Sequence, residues 1–276
     1  MANRLSTARR VAVVKALVEG NSIRSTVRLT GVAKHTIQKL ILDLGAACAA
    51  YMDANLKNLP CKHVQCDEIW SFIGPKDKNV TPELREKNPD AGSVWTWTAL
   101  CADTKLIISC LVGGRDAGYA HAFMQDVASR LRYRVQLTVD GHKPYLSAVE
   151  DAVATDIDYV QLVKVYGAPT DDERRYSPAQ CIGAIPTTVM GGPDPAHIST
   201  SDVERQNFTM RMSMRRFTRL TNAFSRKIDN HIAMTALYFQ FYDFGRVHQT
   251  LRVTPAMEAG VSDHVWTVEK IVGLLG

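Results

Sequence analysis

The chain has 276 residues and a net charge of +5, with 46% hydrophobic and 22% charged residues. This composition is ordinary for one large or two smaller globular domains and excludes wholesale disorder. The sequence has no apolar run of 18 residues, and its first ten residues, MANRLSTARR, lack an apolar core. We therefore expect no membrane helix and no secretory signal, and we predict a cytoplasmic protein, nucleoid-associated when bound to DNA.

The first sixty residues predict a helical DNA-binding unit. Residues 7–19 form one helix, Ser22 caps a second that runs to about Thr30, and a third begins near Ala33. Gly31 supplies the tight turn of a helix-turn-helix. The third helix would present donors suited to phosphates and base edges, namely Lys34, His35, Thr36, Gln38 and Lys39. A three-helix cap without DNA affinity has the same pattern, and residues 43–60 are predicted to be a helical connector.

The middle of the chain predicts a mixed α/β sheet. Strand-like and helix-like segments follow one another in the order strand, strand, strand, helix, strand, helix, strand. They lie at 62–73, 93–112 (two strands), 118–131, 134–140, 143–153 and 157–165, after which 201–226 and 229–244 are predicted helices. Residues 74–92 are predicted to be a loop. Residues 167–199 contain five of the eleven prolines and are predicted to be an irregular insertion.

Basic side chains are concentrated in two segments. Residues 1–42 contain eight basic residues against one acid, and residues 205–227 contain seven against none. Two basic segments on an otherwise acidic chain favour two contacts with a polyanion such as double-stranded DNA. A solvated helix face is the alternative for either segment.

Three acids stand at positions where sheet enzymes place their chemistry. Asp67 lies within the first strand, Asp140 ends the fourth, and Glu204 lies near the start of a helix. Three converging carboxylates repel one another unless cations are bound, and Mg²⁺ or Mn²⁺ prefers such oxygens. Two ions held there could cleave a phosphodiester.

Each acid also has a simpler interpretation. Glu68 could be the relevant acid instead of Asp67, although Asp67 shares strand parity with the more polar residues. Asp140 and Gly141 are a common turn pair. Ser201 and Glu204 fit a capping box, in which Ser201 caps the helix and Glu204 reaches back. On a continuous helix, Arg211 and Arg215 would share the face of Glu204 and follow a nucleic-acid backbone.

Three segments of the sequence resemble the catalytic motifs of DDE transposases of the insertion-sequence-one type. They are Val64-Gln65-Cys66-Asp67-Glu68-Ile69-Trp70-Ser71-Phe72-Ile73-Gly74, then Asp140-Gly141-His142-Lys143-Pro144-Tyr145, then Glu204-Arg205-Gln206-Asn207 followed by Arg211. The tail from Phe244 to Trp266 is similar to tails of several insertion-sequence transposases, so the resemblance covers roughly residues 62–266.

The resemblance implies an RNase H-like sheet with Asp67, Asp140 and Glu204 as catalytic metal ligands. Asp67 and Asp140 would bridge two Mg²⁺ ions, Glu204 would complete one site, and Arg211 and Arg215 would hold phosphates. We expect a DNA-binding unit at 1–60, a catalytic domain at 61–228 and a helical tail at 229–276. The implied function is cleavage and joining of transposon ends to target DNA by a homodimer or higher oligomer. The alternatives are a non-catalytic DNA-binding regulator, including a decayed transposase, and an RNase H-like nuclease that only hydrolyses.

Overall fold

Three helices begin the chain in the computed structural model, which describes residues 5–153, 156–167, 181–218 and 221–276. They are α1 (Thr7–Val18), α2 (Ile23–Thr30) and α3 (Lys34–Asn55). The Ser22 hydroxyl caps α2 by accepting a hydrogen bond from the Ser25 N–H, and Gly31 ends it with a φ of +66°, as the sequence predicts. Residues 43–60, predicted to be a helical connector, are helical as far as Asn55, because α3 continues into them with buried residues at helical spacing, from Ile37 through Leu44 to Met52.

Six strands form one mixed sheet in the spatial order β3-β2-β1-β4-β5-β6. β1 is antiparallel to β2, β2 to β3 and β5 to β6, whereas β1, β4 and β5 are parallel. The predicted mixed α/β sheet is therefore confirmed. The strands are β1 (His63–Ile73), β2 (Gly92–Cys101), β3 (Ile107–Gly113), β4 (Gln136–Asp140), β5 (Asp158–Tyr166) and β6 (Cys181–Met190).

Helices cover both faces of the sheet. The short α4 (Pro82–Lys87) precedes β2, and the crossover helices are α5 (Ala117–Arg130) and α6 (Pro144–Val153). On their side of the sheet, the buried Trp97 ring contacts Phe123 of α5 and Tyr145 of α6. On the other side lie α7 (Ser201–Ser213) and α8 (Ile228–Gln240), which β1 contacts through its polar side chains. β1 is thus buried between two layers of helices, which gives its carboxylates fixed surroundings.

Three predicted segments differ from the structure. The loop 74–92 contains a 3₁₀ turn at Asp77–Asn79 as well as α4. The irregular insertion contains β6, whereas residues 168–180 lie outside the described residues. The predicted helix 201–226 ends at Ser213 and is followed by a 3₁₀ turn at Arg215–Phe217.

The end of α7 is explained by what the following residues bury. Met214 adopts an extended backbone, and both Met214 and Phe217 are buried. The guanidinium of Arg216 turns inward and donates hydrogen bonds to the Ser225 hydroxyl (2.7 Å) and the Asn230 carbonyl (2.8 Å). A continuous helix would leave this buried guanidinium without those partners, and burial of a charge is costly unless it is hydrogen-bonded.

The N-terminal and C-terminal helices share one buried core with the sheet. α3 packs along α8, and α1 packs against α10 (Val268–Val272), which follows the short α9 (Pro255–Glu258). The backbones of α3 and α8 approach so closely that a Cβ at Gly45 would lie 2.3 Å from the Ala233 carbonyl oxygen. A single cluster of packed, buried apolar side chains includes residues of both ends of the chain, from Val11 in α1 to Val272 in α10. The division into three domains therefore stays a prediction. No helix within the described ranges has the length and hydrophobicity needed to cross a membrane.

Candidate active site

Asp67 and Asp140 lie side by side because β1 and β4 are parallel and in register. Cys66 pairs with Val139, and Asp67 and Asp140 are the next residues of the two strands. β4 ends at Asp140 while β1 continues to Ile73, so the pair lies at the carboxyl end of β4. This is the edge at which parallel sheets build ligand sites. Asp140 also accepts a hydrogen bond from the His142 N–H (3.0 Å), as expected for the predicted Asp140-Gly141 turn.

Glu68 points to the opposite side of β1 but still contributes an oxygen to the same edge. Carboxylate oxygens of Asp67, Glu68 and Asp140 lie within 4.8 Å of one another. The Glu68 side chain is fully buried, and Arg115 donates to its Oε2 through Nε (3.0 Å) and Nη2 (2.9 Å). Arg115 Nη2 also lies 3.5 Å from Asp140 Oδ2, and its guanidinium stacks 4.5 Å from the Trp95 ring centroid. The sequence left Glu68 as an alternative to Asp67, whereas in the structure both carboxylates lie at this edge.

α7 is attached to β1 through Gln65. The Gln65 Oε1 accepts hydrogen bonds from the backbone N–H groups of Asp202 (2.9 Å) and Val203 (3.1 Å), which are free donors at the start of a helix. One turn further along α7, the Asn207 amide donates to Asp67 Oδ2 (2.8 Å). These contacts place the start of α7, with Glu204, beside the Asp67–Asp140 pair.

Glu204 accepts hydrogen bonds from two side chains. The Thr200 hydroxyl donates to Oε1 (2.5 Å), and the Lys164 ammonium forms an ion pair with the same oxygen. The predicted capping box is wrong, because Thr200 is the N-cap residue and Ser201 is already helical. The Glu204 carboxylate is thus turned towards Thr200 and β5, and it does not belong to the group of three oxygens within 4.8 Å.

The crowding of acidic side chains raises the pKa values of Asp67 and Glu68. Burial, the charge of Asp140 and, more weakly, that of Glu204 raise the pKa of Asp67 to about 6. Burial and Asp140 raise the pKa of Glu68 to about 7, although the Tyr145 hydroxyl and, more weakly, Arg115 oppose the shift. Each of these carboxylates is therefore costly to ionise without a further cation.

The donor set fits a hard divalent cation. All candidate ligands are carboxylate oxygens, which Mg²⁺ and Mn²⁺ prefer over nitrogen or sulfur. Glu68 Oε1 is buried, and no group among the described residues donates to it with hydrogen-bond geometry, although the buried Tyr145 hydroxyl is near enough to lower the Glu68 pKa. An orphaned buried acceptor beside two further carboxylates is the arrangement that a bound cation would satisfy.

The predicted DNA-binding residues of α3 lie at its exposed N-terminal end. Lys34, His35, Thr36 and Lys39 are exposed and Gln38 is partly exposed. The charge of this segment is smaller than the residue count suggests. Lys39 pairs with Asp43 (2.9 Å), which lies just outside the counted window, and Lys15 pairs with Glu269 (2.9 Å).

The predicted phosphate-binding arginines do not share one continuous helix. Arg211 lies in the last turn of α7 and is partly buried, whereas Arg215 is exposed in the following 3₁₀ turn. The proposed common face of Glu204, Arg211 and Arg215 on one helix is therefore wrong, although each arginine keeps its predicted role as a hypothesis. Arg219, which the sequence analysis counted among the basic residues of 205–227, lies outside the described residues.

Sequence reasoning missed Arg115, Lys164 and Asn207. Lys164 carries a weak signal, since it is the one basic residue in a strand that neighbours β4. Asn207 lies three residues after Glu204, at a spacing that puts both on one side of a helix. Arg115 lies in a glycine-rich connection, where no periodicity predicts the direction of a side chain.

Comparisons with known proteins leave the chain without an assigned family. No protein-family model matches the sequence, and no curated protein matches it. Among solved structures, the chain is similar over 98% of its length to 69% of a piggyBac transposase chain in a synaptic complex with hairpin DNA. The identity is 10% and the TM-score is 0.47.

A second similar structure is the Mos1 transposase in a paired-end complex with the left transposon end. The match covers 58% of this chain and 59% of that chain, with 13% identity and a TM-score of 0.26. With both scores below 0.5, neither match establishes a shared fold or function. The resemblance to the insertion-sequence-one type has no support in these comparisons and stays a prediction.

Proposed function

We propose that this protein is a DNA transposase that binds the ends of an insertion sequence and catalyses metal-dependent DNA cleavage and strand transfer. One observation carries the proposal: the carboxylates of Asp67, Glu68 and Asp140, from β1 and the end of β4, converge at one edge of the sheet, and α7 begins beside them with Glu204. The orphaned Glu68 oxygen and the raised pKa of Asp67 support a cation site there. Exposed basic side chains at both predicted DNA-binding segments support a nucleic-acid substrate.

Asp67, Asp140 and Glu204 would hold the two divalent ions, with Glu68 as a further available oxygen. Such ions supply activation of the attacking oxygen and stabilisation of the leaving oxygen in phosphodiester chemistry. Asn207 keeps the Asp67 carboxylate in place, and Gln65 fixes the start of α7 against β1. Arg115 neutralises Glu68 and orients Asp140, so the ligand oxygens are held before any ion binds.

DNA recognition is assigned to the α2–α3 pair, with Arg211 and Arg215 as phosphate contacts near the carboxylates. The exposed N-terminal end of α3 would enter the major groove, where Lys34, Gln38 and their neighbours reach base edges and phosphates. Joining two transposon ends requires two copies of the active site, so we assign a homodimer or higher oligomer on DNA.

The test is incubation of the purified protein with DNA that carries the flanking sequences of its own gene, in Mg²⁺ or Mn²⁺. Products in which a transposon end is joined to target DNA support the proposal. Asp67→Asn should abolish the joined products but leave gel-shift binding near normal, since most DNA affinity is electrostatic. Asp151→Asn is the matched control, because Asp151 is an exposed acid of α6 that pairs with His121 away from the carboxylates.

Two other outcomes contradict the proposal in different ways. Cleaved DNA without joined products identifies a hydrolytic nuclease with the same site. Sequence-specific binding without any metal-dependent product identifies a DNA-binding regulator.

A further inference from the structure

Lys164 reaches the acidic edge of the sheet from β5. Leu162 is in register with Asp140, and Lys164 lies two residues further along the strand. Its ammonium is ion-paired with the Glu204 oxygen that also accepts the Thr200 hydroxyl. The lysine therefore pairs with one of the predicted metal ligands and lies beside the acidic edge that holds the others.

This ion pair differs in kind from that of Arg115. Arg115 is itself 33% exposed, but its partner Glu68 is fully buried and its guanidinium both bonds to Glu68 and stacks on Trp95, so this cation is fixed. The Lys164 and Glu204 side chains are 27% and 38% exposed. An ammonium on a flexible four-carbon stem can exchange partners at low cost when both partners reach solvent. Lys164 is thus the cation at this site that can move.

A divalent ion and the Lys164 ammonium cannot both lie against Glu204 without repulsion between like charges. When an ion takes the carboxylate, the ammonium needs another anionic partner. In a DNA-cleaving site that partner is a phosphate of the bound strand.

We propose that Lys164 is a positioning residue that holds Glu204 in the ion-free protein and passes to a DNA phosphate when Glu204 binds the divalent cation. The inference rests on the proposed function, since it takes the carboxylates as the cation site and DNA as the substrate. It implies that cation binding and DNA binding favour each other. A cation on Glu204 releases the Lys164 ammonium, and a DNA phosphate binds the released ammonium.

The first measurement is titration of the full-length protein with Mn²⁺ alone, by calorimetry, for the wild type and for Lys164→Met. Removal of the competing ammonium should tighten Mn²⁺ binding by at least about fivefold. Lys164→Arg, which keeps the positive charge, should bind Mn²⁺ almost as weakly as the wild type. A purely structural role for Lys164 predicts unchanged or weaker Mn²⁺ binding in Lys164→Met, and that result would overturn the inference.

Lys105 offers a matched control. Its ammonium pairs with Asp202 (2.7 Å), two residues before Glu204 on the same helix, and the two side chains are 22% and 33% exposed. Lys105→Met removes the same charge at similar burial without touching Glu204. Its Mn²⁺ affinity should stay within about twofold of the wild type. If Lys164→Met does not fold, as judged by circular dichroism, Lys164→Gln provides the neutral variant.

The second measurement follows DNA affinity against salt concentration, with Ca²⁺ as a cation that binds carboxylates. Loss of one phosphate contact should reduce the logarithmic salt slope by about 1 in Lys164→Met when Ca²⁺ is present, and should leave it unchanged without divalent ions. A wild-type slope that is the same with and without Ca²⁺, or one that Lys164→Met shares in Ca²⁺, would contradict transfer to a phosphate. If wild type and Asp67→Asn fail equally to bind Mn²⁺, the proposed function itself fails. If the wild type binds Mn²⁺ and joins DNA while Lys164→Met binds Mn²⁺ like the wild type, only the role of Lys164 fails.

Discussion

At the scale of single residues, the carboxylates at the acidic edge of the sheet repel one another in the ion-free protein. Asp67 is held ionised against Asp140 and Glu204 although burial disfavours its charge. Side chains arranged to bind a ligand commonly lower the free energy of unfolding when the ligand is absent. The same carboxylates that weaken the ion-free fold should therefore make the folded state bind a divalent cation.

Asp67→Asn should raise the free energy of unfolding of the ion-free protein at pH 7 by about 1–2 kcal/mol, because a strained charge is removed. The same variant should lose most of the stabilisation that Mn²⁺ gives the wild type. Chemical denaturation with and without Mn²⁺ measures both effects. Asp151→Asn should change stability by no more than about 0.5 kcal/mol. A lower free energy of unfolding for ion-free Asp67→Asn than for the wild type would show that the hydrogen bonds to Asp67 offset the cost of burying its charge.

His231 provides a pH-dependent stability that is independent of the carboxylates. Burial and the neighbouring Arg216 lower its pKa to about 3, and its ring nitrogens contact the Ser71 and Ser225 hydroxyls at 3.3 and 3.2 Å. The unfolded chain binds a proton near pH 6.5 whereas the folded chain does not, so acid favours unfolding. His231 should therefore cost about 1.4 kcal/mol of stability per pH unit below pH 6.5.

The measurement is urea denaturation of the wild type and His231→Gln between pH 7 and pH 5. The buried Asp243, whose pKa is raised well above its usual range by burial, has the opposite dependence, so the difference between the two proteins is the relevant quantity. The wild type should lose its advantage over His231→Gln as the pH falls. A difference that is constant over this range would contradict a neutral buried histidine.

At the scale of elements, α3 combines two roles along its length. Its first turns carry exposed polar residues on one side and the buried Ile37 on the other, whereas the later turns bury Leu44 and Cys48. A helix that is held by its second half can present its first half rigidly to a groove.

Lys34→Ala should weaken DNA binding uniformly across sequences and reduce the logarithmic salt slope by about 1, if Lys34 contacts a phosphate. Lys15→Ala is the control, since the Lys15 ammonium is already paired with Glu269. Fluorescence anisotropy at several salt concentrations distinguishes the two. Equal behaviour of both variants would remove the N-terminal end of α3 from the DNA interface.

Elements with strong local signals were predictable, and the exceptions have physical causes. α1, α2, β1, β4 and β5 follow from helical spacing, strand-forming residues and the Ser22 cap. β6 was missed because its sequence, CIGAIPTTVM, contains a proline and a glycine and is almost wholly exposed, so no apolar alternation marks it. The predicted length of α7 failed because burial of Arg216 and Phe217 outweighs continuation of the helix, and no local propensity encodes that contact.

At the scale of the whole molecule, the N-terminal helices are anchored by the C-terminal ones. α3 lies against α8 at Gly45, and one buried core connects both ends of the chain with the sheet. Movement of the α2–α3 pair on DNA would therefore be transmitted to α8 and the sheet, because packed interiors deform little.

Gly45→Ala tests this junction. In an ordinary helix the substitution stabilises by about 0.5–1 kcal/mol, but here the new methyl would lie 2.3 Å from the Ala233 carbonyl oxygen. We expect a net loss of about 1–3 kcal/mol from overpacking, measured by thermal and urea unfolding. Gly273→Ala, where a Cβ meets nothing within 4 Å, should be neutral or slightly stabilising. A stabilised Gly45→Ala would show that the helices are further apart.

The site was predictable only in part at this scale. Asp67, Asp140 and Glu204 were selected by their positions within a strand, at a strand end and near a helix start, and those elements do meet. Their cationic partners were not predictable, because Arg115 and Lys164 reach the site from a connection and a strand whose own patterns give no direction. Contacts across 40 or more residues depend on the register of β1, β4 and β5, which no local signal determines.

We propose that the carboxylates of Asp67, Asp140 and Glu204 hold divalent cations at one edge of the sheet. Anomalous diffraction from crystals of the protein grown with Mn²⁺ and a DNA fragment tests it most directly. We expect manganese peaks in contact with Asp67 and Asp140, with Glu204 turned from Lys164 onto one ion. Crystals in which manganese avoids these carboxylates, or in which Glu204 keeps its lysine beside a bound ion, would contradict it.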